Sequence, residues 1–426
     1  MSKYVIVGAS AAGIGAVEAI REVDPVGTVT VISDEHCPQY SRPMISDLVS
    51  GKANFDKMMC REDQFWQKND VQSLTGRTAV SLNLSEKWVA LDKGDHINFE
   101  KLLIATGGKP FVPKIEGGEK QGVFTFTTVS DAESLAAKIE TARNAVVIGG
   151  GLIGVSVTEA LVKRGLKVTM VELKDKILSL ILDPTASQMV ENVIRNAGVT
   201  IATGQTVQCI LGTPEDDNVV GGAVLTGGEQ VQCDLVIIAI GVIPRMELVS
   251  GTDVKTNRGI IVDDFMRTNV PDVYASGDVA EAYDFILGEN RLLPLWPLAQ
   301  QQGKVAGYNM AGKKAEYPGG TAMSALKYFG IAIISIGTTN SREDDTYEIL
   351  IKHEPDRTLY KKIALKDNII VGLTLVNDIE KAGVLFHLMK NGVNVKRFKQ
   401  ELLSEEFCLA TLPRSLRRKL YPGEYR

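Results

Sequence analysis

Residues 145–172 read AVVIGGGLIGVSVTEALVKRGLKVTMVE, and their pattern predicts the fold class. A short apolar run ends in three glycines, a helical stretch follows, and a second apolar run ends in an acidic residue. The glycines have the G-x-G-x-x-G spacing, which lets backbone N–H groups approach a pyrophosphate at a helix N-terminus. The stretch therefore predicts a strand, a tight turn, a helix and a second strand that together bind a dinucleotide.

The acidic end of this unit favours NAD(H) over NADP(H). Glu172 lies eighteen positions after Gly154, where a carboxylate suits a free ribose 2′-hydroxyl and repels a 2′-phosphate. Lys174 and Lys176 follow closely and are the residues that would favour the phosphate. The residues predicted to bind NAD are Gly149, Gly151, Leu152, Ile153, Gly154, Glu172 and the strand-end glycine Gly241.

A weaker copy of the unit opens the chain. KYVIVG at 3–8 is an apolar run that ends in glycine, an alanine-rich helical stretch follows, and TVTVIS at 28–33 is a second strand. The turn GASAAG at 8–13 has Ser10 in place of the middle glycine, and by itself it is either a nucleotide site or a tight strand–helix turn. Two such units about 140 residues apart are an internal repeat of architecture.

Three further signals lie at strand ends, where ligands bind in open α/β sheets. Ala105-Thr106-Gly107 follows a buried strand, Gly241 precedes Pro244 by three positions, and Gly277-Asp278 closes the segment MRTNVPDVYASGD. Taken singly, each of these signals is a common turn.

Taken together and in this order, the motifs resemble the FAD-dependent pyridine nucleotide oxidoreductases related to glutathione reductase. The resemblance covers residues 1–318 in motif order. It implies an α/β fold with two Rossmann-like dinucleotide-binding domains and a C-terminal α+β interface domain. The implied FAD domain comprises 1–112 and 243–318, the NAD domain 113–242, and the C-terminal interface or dimerisation domain 319–426. In that last part we expect strands followed by helices at roughly 378–391 and 395–404.

The segment Ser33–Asp47 selects a branch of the family. It resembles the D-E-x-x-x-x-Y-x-R-P-x-L-S segment of rubredoxin reductases, ferredoxin reductases, nitrite reductase large subunits and apoptosis-inducing factor. In those proteins the matching acidic pair binds the FAD ribose, the matching arginine binds the FAD phosphates, and a later helix N-terminus faces the flavin. The residues so assigned to FAD are Gly8, Ser10, Ala11, Ala12, Gly13, Asp34, Glu35, Arg42, Ala105, Thr106, Gly107, Gly277, Asp278, Trp296 and Ala299.

The cysteines separate this chain from the disulfide-reducing branches. There are five, Cys37, Cys60, Cys209, Cys233 and Cys408, with neither a vicinal pair nor the spacing of a metal site. The oxidase and coenzyme A disulfide reductase branch uses one cysteine, and its position here is Met44. Cys37 lies too early, and we interpret it as an ordinary loop thiol.

A second departure concerns a charged pair. Many relatives place a lysine beside flavin N5 and pair it with a glutamate just after the second glycine motif. The matching positions are Asp47 and Ser156, so the ion pair is absent. Glu159, one helix turn further on, is interpreted as a carboxylate on the helix face.

Composition and charge limit the kinds of partner that this chain is expected to bind. The 426 residues carry a net charge of −5, which argues against nucleic acid as the main partner. We find no apolar run of about 18 residues and no secretory signal, so the expected location is the cytoplasm, with reduced thiols and no membrane contact. Residues 387–426 carry nine Lys/Arg against four Asp/Glu, a basic segment that an acidic partner would fit.

The predicted function is electron exchange between NAD(H) and a one-electron iron–sulfur carrier of the rubredoxin or ferredoxin type, or an iron–sulfur subunit. Hydride transfer needs orientation more than acid–base groups, so no catalytic side chain and no metal ligand is assigned. The chain resembles the flavoprotein subunits of 2-oxoacid (phenylglyoxylate) dehydrogenase complexes, and it would act as a homodimer or within a hetero-oligomer. Two alternatives stay open: an NADH oxidase or coenzyme A disulfide reductase, and a non-catalytic NADH-sensing flavoprotein.

Overall fold

The computed structural model describes residues 2–37, 39–341, 343–344 and 346–420. The strands are β1 Ser2–Val7, β2 Val29–Ser33, β3 Val71–Thr75, β4 Ala79–Asn83, β5 Trp88–Leu91, β6 His96–Ile104, β7 Gly108–Pro110, β8 Val123–Thr125, β9 Asn144–Ile148, β10 Lys167–Glu172, β11 Thr200–Thr203, β12 Val207–Gly212, β13 Val220–Leu225, β14 Gln230–Gln232, β15 Leu235–Ile238, β16 Val242–Pro244, β17 Ile260–Ile261, β18 Val273–Ala275, β19 Ala280–Asp284, β20 Glu289–Leu292, β21 Met323–Tyr328, β22 Ile331–Gly337, β23 Glu348–Glu354, β24 Leu359–Lys366 and β25 Ile369–Val376. The α-helices are α1 Ala11–Val23, α2 Ile45–Val49, α3 Phe55–Met58, α4 Phe65–Lys68, α5 Val129–Ile139, α6 Leu152–Lys163, α7 Pro184–Asn196, α8 Trp296–Met310, α9 Ala382–Lys390 and α10 Arg414–Leu420.

The first sheet is built around the first glycine turn. β1 pairs in parallel with β2 and β6, β3 extends the sheet beyond β2, and β18 joins β6 in parallel. The antiparallel strands β5 and β4 continue from the other part of β6. The central residues Tyr4, Val5 and Ile6 of β1 are fully buried, as expected for a parallel strand covered on both faces.

The second sheet repeats this order. All five strands run parallel in the order β11-β10-β9-β15-β8, which matches β3-β2-β1-β6 around the first turn. The predicted pair of Rossmann-like units is therefore confirmed at the level of sheet topology.

A two-stranded ribbon joins the two units. β7 and β16 pair antiparallel, with Val242 opposite Pro110 and Pro244 opposite Gly108. The chain thus leaves the first unit and returns to it at the same place. The predicted domain bounds at 112/113 and 242/243 fall at this ribbon, and the division into domains stays a prediction.

The last part of the chain forms an antiparallel sheet in the order β21-β22-β25-β24-β23, with α9 packed on β25. The helix predicted at 395–404 is wrong: only a short 3-10 helix forms, at Lys399–Leu403. The α-helix does not form because Val395 N–H donates to Asn368 O at 2.9 Å, Asn394 bridges to Ile369, and residues 396–398 form a turn. Pairing to the β24–β25 turn therefore overrides the local helical pattern.

Candidate functional site

The first glycine turn is shaped by close backbone contacts. Gly8 has a φ of +117°, and a Cβ on it would lie 2.0 Å from the carbonyl oxygen of Ala105. A Cβ on Gly13 would lie 2.0 Å from the carbonyl oxygen of Gly8. Both positions require glycine, because any side chain would push the turn away from the end of β6. Ser10 is the N-cap of α1 and makes no side-chain cap hydrogen bond.

Helix α8 brings the distant predicted FAD residues to this turn. A Cβ on Gly277 would contact Ala12 Cβ at 3.4 Å and Ala299 Cβ at 3.5 Å, so these three residues converge. Gly277 N–H donates to the side chain of Gln302 at 2.8 Å. Gln302 is buried and supports the Gly277-Asp278 segment. In the sequence, the only sign of this role was that Gln302 lies in the α8 segment.

Two polar groups beside the turn fit a bound cofactor. Burial raises the pKa of the Asp278 carboxyl, and the positive charge of Arg42 acts in the opposite direction. The indole Nε1 of Trp296 is buried with no hydrogen-bond partner among the described residues. Because buried polar groups are normally paired, this place suits a ligand that carries hydroxyls and acceptor atoms, as FAD does.

The predicted pyrophosphate and ribose residues Arg42 and Glu35 lie together. Arg42 forms an ion pair with Glu35 and donates to Thr127 O at 2.7 Å. Tyr40 donates its hydroxyl proton to Glu35 at 2.7 Å and accepts from Val129 N–H at 3.0 Å. Sequence analysis gave Tyr40 no role, yet it ties this segment to the start of α5. The cofactor contacts of Arg42 and Glu35 stay predictions.

Asp34 makes a separate contact at the ribbon. Its carboxylate pairs with the Arg245 guanidinium at 2.7 Å. The backbone of Arg245 is held in turn by two hydrogen bonds: the Thr106 hydroxyl donates to Arg245 O at 2.7 Å, and Arg245 N–H donates to Gly107 O at 2.9 Å. A Cβ on Gly107 would meet no atom within 4 Å, so its backbone is open to a ligand. Arg245 was missed because only its neighbour Pro244 belongs to the motif.

The second glycine turn repeats the geometry of the first. Gly149 has a φ of +111°, and a Cβ on it would lie 2.5 Å from Ala239 O. A Cβ on Gly154 would lie 1.8 Å from Gly149 O, whereas Cβ atoms on Gly151 and Gly241 would meet nothing within 4 Å. The turn thus combines tight internal packing with an open approach at the N-terminus of α6, where Leu152 and Ile153 begin the helix.

The carboxylate of Glu172 is held by the turn. It accepts hydrogen bonds from Gly150 N–H at 2.6 Å and Lys174 N–H at 2.8 Å. The predicted ribose-binding group is therefore held at the edge of the glycine turn by two backbone donors. Both donors are backbone N–H groups, so the ammonium group of Lys174 takes no part in these hydrogen bonds.

The residues that replace the charged pair of relatives lie on two helices that pack together, α2 and α6. Asp47 pairs with Lys52 at 3.1 Å, and Ser156 is buried. Glu159 accepts from Phe329 N–H at 2.7 Å, so this helix-face carboxylate faces the C-terminal sheet.

Three of the thiols, those of Cys37, Cys60 and Cys233, have raised pKa values. Burial raises the pKa of the Cys37 thiol, and the negative charges of Asp63 and Glu35 raise it further. Burial also raises the pKa of Cys60 and raises that of Cys233 to about 12. All five cysteines are free, and the described residues contain no cluster of His, Cys, Asp and Glu that could hold a metal.

Comparison with protein families agrees with this geometry. Residues 2–303 match the pyridine nucleotide-disulphide oxidoreductase family, and residues 323–393 match the rubredoxin NAD+ reductase C-terminal domain. The chain belongs to the pyridine nucleotide-disulphide oxidoreductases. It is an FAD-dependent NADH oxidoreductase by that membership, and FAD and NAD(H) are its cofactors.

Three curated relatives span most of the chain. NADH-dependent phenylglyoxylate dehydrogenase subunit epsilon of Aromatoleum evansii is 34% identical over 91% of this chain and 91% of its own length. An NADH oxidase of Methanocaldococcus jannaschii is 30% identical over 96% and 94%. A nitrite reductase of Bacillus subtilis is 30% identical over 92% of the chain, which spans only 48% of that protein.

Two solved structures share the fold. An NAD-dependent persulfide reductase from A. fulgidus has a TM-score of 0.86 at 28% identity, covering 93% of this chain and 78% of that one. The NADH:rubredoxin oxidoreductase from Clostridium acetobutylicum has a TM-score of 0.77 at 26% identity, covering 93% and 97%. The predicted fold class is confirmed by these neighbours. In the described part of the chain, no helix is long and apolar enough to cross a membrane.

Proposed function

We propose that this flavoprotein moves electrons between NAD(H) and a one-electron iron–sulfur carrier or iron–sulfur subunit. Support comes from the match of residues 323–393 to the rubredoxin NAD+ reductase C-terminal domain. The NADH:rubredoxin oxidoreductase structure and the phenylglyoxylate dehydrogenase subunit share nearly the full length of the chain. Because the chain is similar to the phenylglyoxylate dehydrogenase subunit, we propose more specifically that it is the flavin subunit of a 2-oxoacid dehydrogenase complex.

The proposal depends mainly on the surroundings of the Cys37 thiol and on the residue at position 44. A relay through cysteine needs a thiolate, which requires a lowered pKa. Burial and the carboxylates of Asp63 and Glu35 instead raise the pKa of Cys37, and Met44 stands where the oxidase branch carries its cysteine. Electrons therefore leave without a thiol intermediate, which suits a one-electron acceptor.

The chain's own residues bind and orient the reactants. The glycine turn at 149–154 offers backbone N–H groups and a helix N-terminus to the NAD pyrophosphate, and Glu172 faces its ribose hydroxyls. At the first turn, Arg42 and Asp278 would hold the phosphates and the ribityl chain of FAD. When bound, FAD supplies the conversion between a two-electron donor and one-electron acceptors. One NADH then reduces two carriers and releases one proton.

The experiment is anaerobic stopped-flow spectroscopy of the purified yellow protein. NADH and NADPH are compared as reductants, and oxidised rubredoxin or ferredoxin is then mixed with the reduced protein. We expect fast bleaching by NADH, slower bleaching by NADPH, and rapid return of the flavin band on adding a carrier. Bleaching without reoxidation by either carrier would point to a dedicated iron–sulfur subunit, and no bleaching by either nucleotide would refute the dehydrogenase function.

An NADH oxidase or coenzyme A disulfide reductase is the second candidate, favoured by the NADH oxidase relative that spans 96% of the chain. Those reactions need a reactive thiol, so the Cys37→Ser variant separates the two. We expect unchanged flavin turnover in this variant, with Cys408→Ser as the matched control. A large loss confined to Cys37→Ser would overturn the proposal in favour of the thiol mechanism.

A non-catalytic NADH sensor is the third candidate. It would show slow flavin reduction and a long-lived charge-transfer band in the same stopped-flow record.

We also propose a cytoplasmic location and assembly as a homodimer or within a larger complex. The basic segment 387–426 is the proposed contact for an acidic carrier.

A further inference from the structure

Residues 177–183, here called the β10–α7 segment, lie directly against the second glycine turn. Leu178 N–H donates to Gly150 O at 2.8 Å. A Cβ on Gly150 would lie 2.9 Å from the side chain of Ile177, and both Ile177 and Leu178 are buried. The segment therefore backs the part of the turn that donates a hydrogen bond to Glu172.

The backbone of this segment is strained at one residue. Leu178 has a φ of +50°, which is the left-handed region that a leucine rarely adopts. Such a conformation persists only where the surrounding structure enforces it. The shape of the β10–α7 segment therefore depends on restraints from its neighbours.

Two of these restraints come from side chains of the C-terminal sheet. The Ser335 hydroxyl, on β22, donates to Ile181 O at 2.7 Å. The side-chain amide of Asn340, just after β22, donates to Ser179 O at 2.9 Å. Both acceptors are backbone carbonyls, so these hydrogen bonds hold the path of the main chain itself.

The end of the segment is attached to the same sheet. Asp183, the N-cap of α7, pairs with Lys362 at 3.1 Å and accepts from the Tyr360 hydroxyl at 2.7 Å. Leu178 of the segment and Ile333 of β22 belong to one hydrophobic core. The β10–α7 segment is thus enclosed between the glycine turn and the C-terminal sheet.

An unbroken series of hydrogen bonds runs from the C-terminal sheet to the predicted ribose-binding carboxylate. Ser335 donates to Ile181 O, and Ile181 N–H donates to Leu178 O at 2.9 Å. Leu178 N–H donates to Gly150 O, and Gly150 N–H donates to the Glu172 carboxylate at 2.6 Å. A shift of the main chain at Ile181 therefore reaches the amide that orients Glu172.

We propose that Ser335 and Asn340 are positioning residues for NAD(H), which act through the β10–α7 segment on the carboxylate of Glu172. The proposal rests on the proposed binding of NAD(H) at the second glycine turn, and it gives the C-terminal sheet a part in nucleotide selection. When only a fraction of the molecules hold the binding-competent shape, the apparent affinity falls by that fraction. Loss of either hydrogen bond thus weakens NADH binding. It also frees the carboxylate that opposes a 2′-phosphate.

The test is anaerobic stopped-flow reduction of the Ser335→Ala and Asn340→Asp holoproteins by NADH and by NADPH, with no carrier present. Each variant loses one donor, and Asn340 is exposed, so its replacement leaves the core intact. The dependence of the observed rate on nucleotide concentration separates the dissociation constant from the limiting rate constant. We expect the NADH dissociation constant to rise about threefold to tenfold. The NADPH dissociation constant should not rise, and the limiting rate constant and FAD content should stay unchanged.

Combination with Glu172→Ala shows whether Ser335 acts through that carboxylate. Independent effects add, whereas effects that pass through a shared group do not. We expect Ser335→Ala to change the NADH dissociation constant of the Glu172→Ala protein by less than about twofold. A purely structural role for Ser335 would not make its effect depend on Glu172.

Thr374→Val is the matched control. Thr374 lies directly opposite Ser335 on the neighbouring strand β25. Its hydroxyl is buried and has no hydrogen-bond partner among the described residues. Removing this hydroxyl from the same sheet should leave both nucleotide dissociation constants unchanged.

Two results would overturn the assignment while leaving the NAD(H) site in place. Wild-type NADH dissociation constants in both Ser335→Ala and Asn340→Asp, whatever their melting temperatures, would make these residues structural only. An equal rise on adding Ser335→Ala with and without Glu172 would show that Ser335 does not act through the carboxylate. Wild-type NADH binding in Glu172→Ala alone would instead refute the proposed site itself. Because no carrier is present, failure of iron–sulfur electron transfer affects none of these measurements.

Discussion

Glu172 is held in place by backbone hydrogen bonds. Its carboxylate is fixed by Gly150 N–H and Lys174 N–H at 2.6 and 2.8 Å. A carboxylate held by two backbone donors cannot turn away from a ribose, and its charge opposes a 2′-phosphate. We therefore predict that selection of NADH depends on this one side chain and the two amides that hold it.

Replacing Glu172 with alanine should weaken NADH binding and remove the discrimination against NADPH. A hydrogen bond to a charged group contributes about 1.5–3 kcal/mol, so the KM for NADH should rise roughly tenfold to a hundredfold. Steady-state kinetics with both nucleotides measure this. Glu229→Ala, on an exposed turn of the same unit, should leave both KM values unchanged. Equal KM changes in the two variants would contradict the assignment.

At the scale of elements, the crossing of α1 and α8 brings together the residues of the predicted FAD site. A Cβ on Gly303 would lie 2.0 Å from Ala12 O, and one on Gly307 would lie 2.4 Å from Ala16 O. The two helices therefore touch backbone to backbone, which carries the start of α8 to the first glycine turn. Only glycine at positions 303 and 307 allows this approach, because a Cβ on either residue would push the two helices apart.

Gly303→Ala should separate α8 from α1 and so release FAD. Overpacking of a tight contact costs about 1–3 kcal/mol, so we expect a lower melting temperature and a lower ratio of flavin to protein absorbance. Gly383→Ala is the matched control, because a Cβ there would meet nothing within 4 Å. Alanine is the better helix former, so that variant should be at least as stable as wild type. A flavin ratio unchanged in Gly303→Ala would contradict this account.

At the scale of the whole molecule, a buried ionic cluster joins the C-terminal sheet to α7. Lys362 pairs with Asp183 at 3.1 Å and donates to Thr339 O and Ser341 O. Tyr360 donates to the same carboxylate at 2.7 Å. The position of the C-terminal sheet relative to α7 therefore depends on this cluster.

Lys362→Met should loosen the C-terminal sheet, since it leaves the Asp183 carboxylate buried without its cation. Breaking a buried pair in this way costs about 3–5 kcal/mol, and the urea midpoint should fall accordingly. Lys366→Met, at the exposed end of β24, should change the free energy of unfolding by less than about 0.5 kcal/mol. Equal midpoints for the two variants would show that the cluster contributes nothing to docking.

The two glycine units, their order and the position of Glu172 could be predicted from the amino-acid sequence, because turn and helix formation depend on local spacing and backbone sterics. It also indicated the family and the cofactors. The folded chain was needed to show that Arg42 meets Glu35 and Thr127, and that residues 395–404 are held largely non-helical by the β24–β25 turn. These contacts join residues far apart in the chain, and their energies depend on packing that no local pattern encodes.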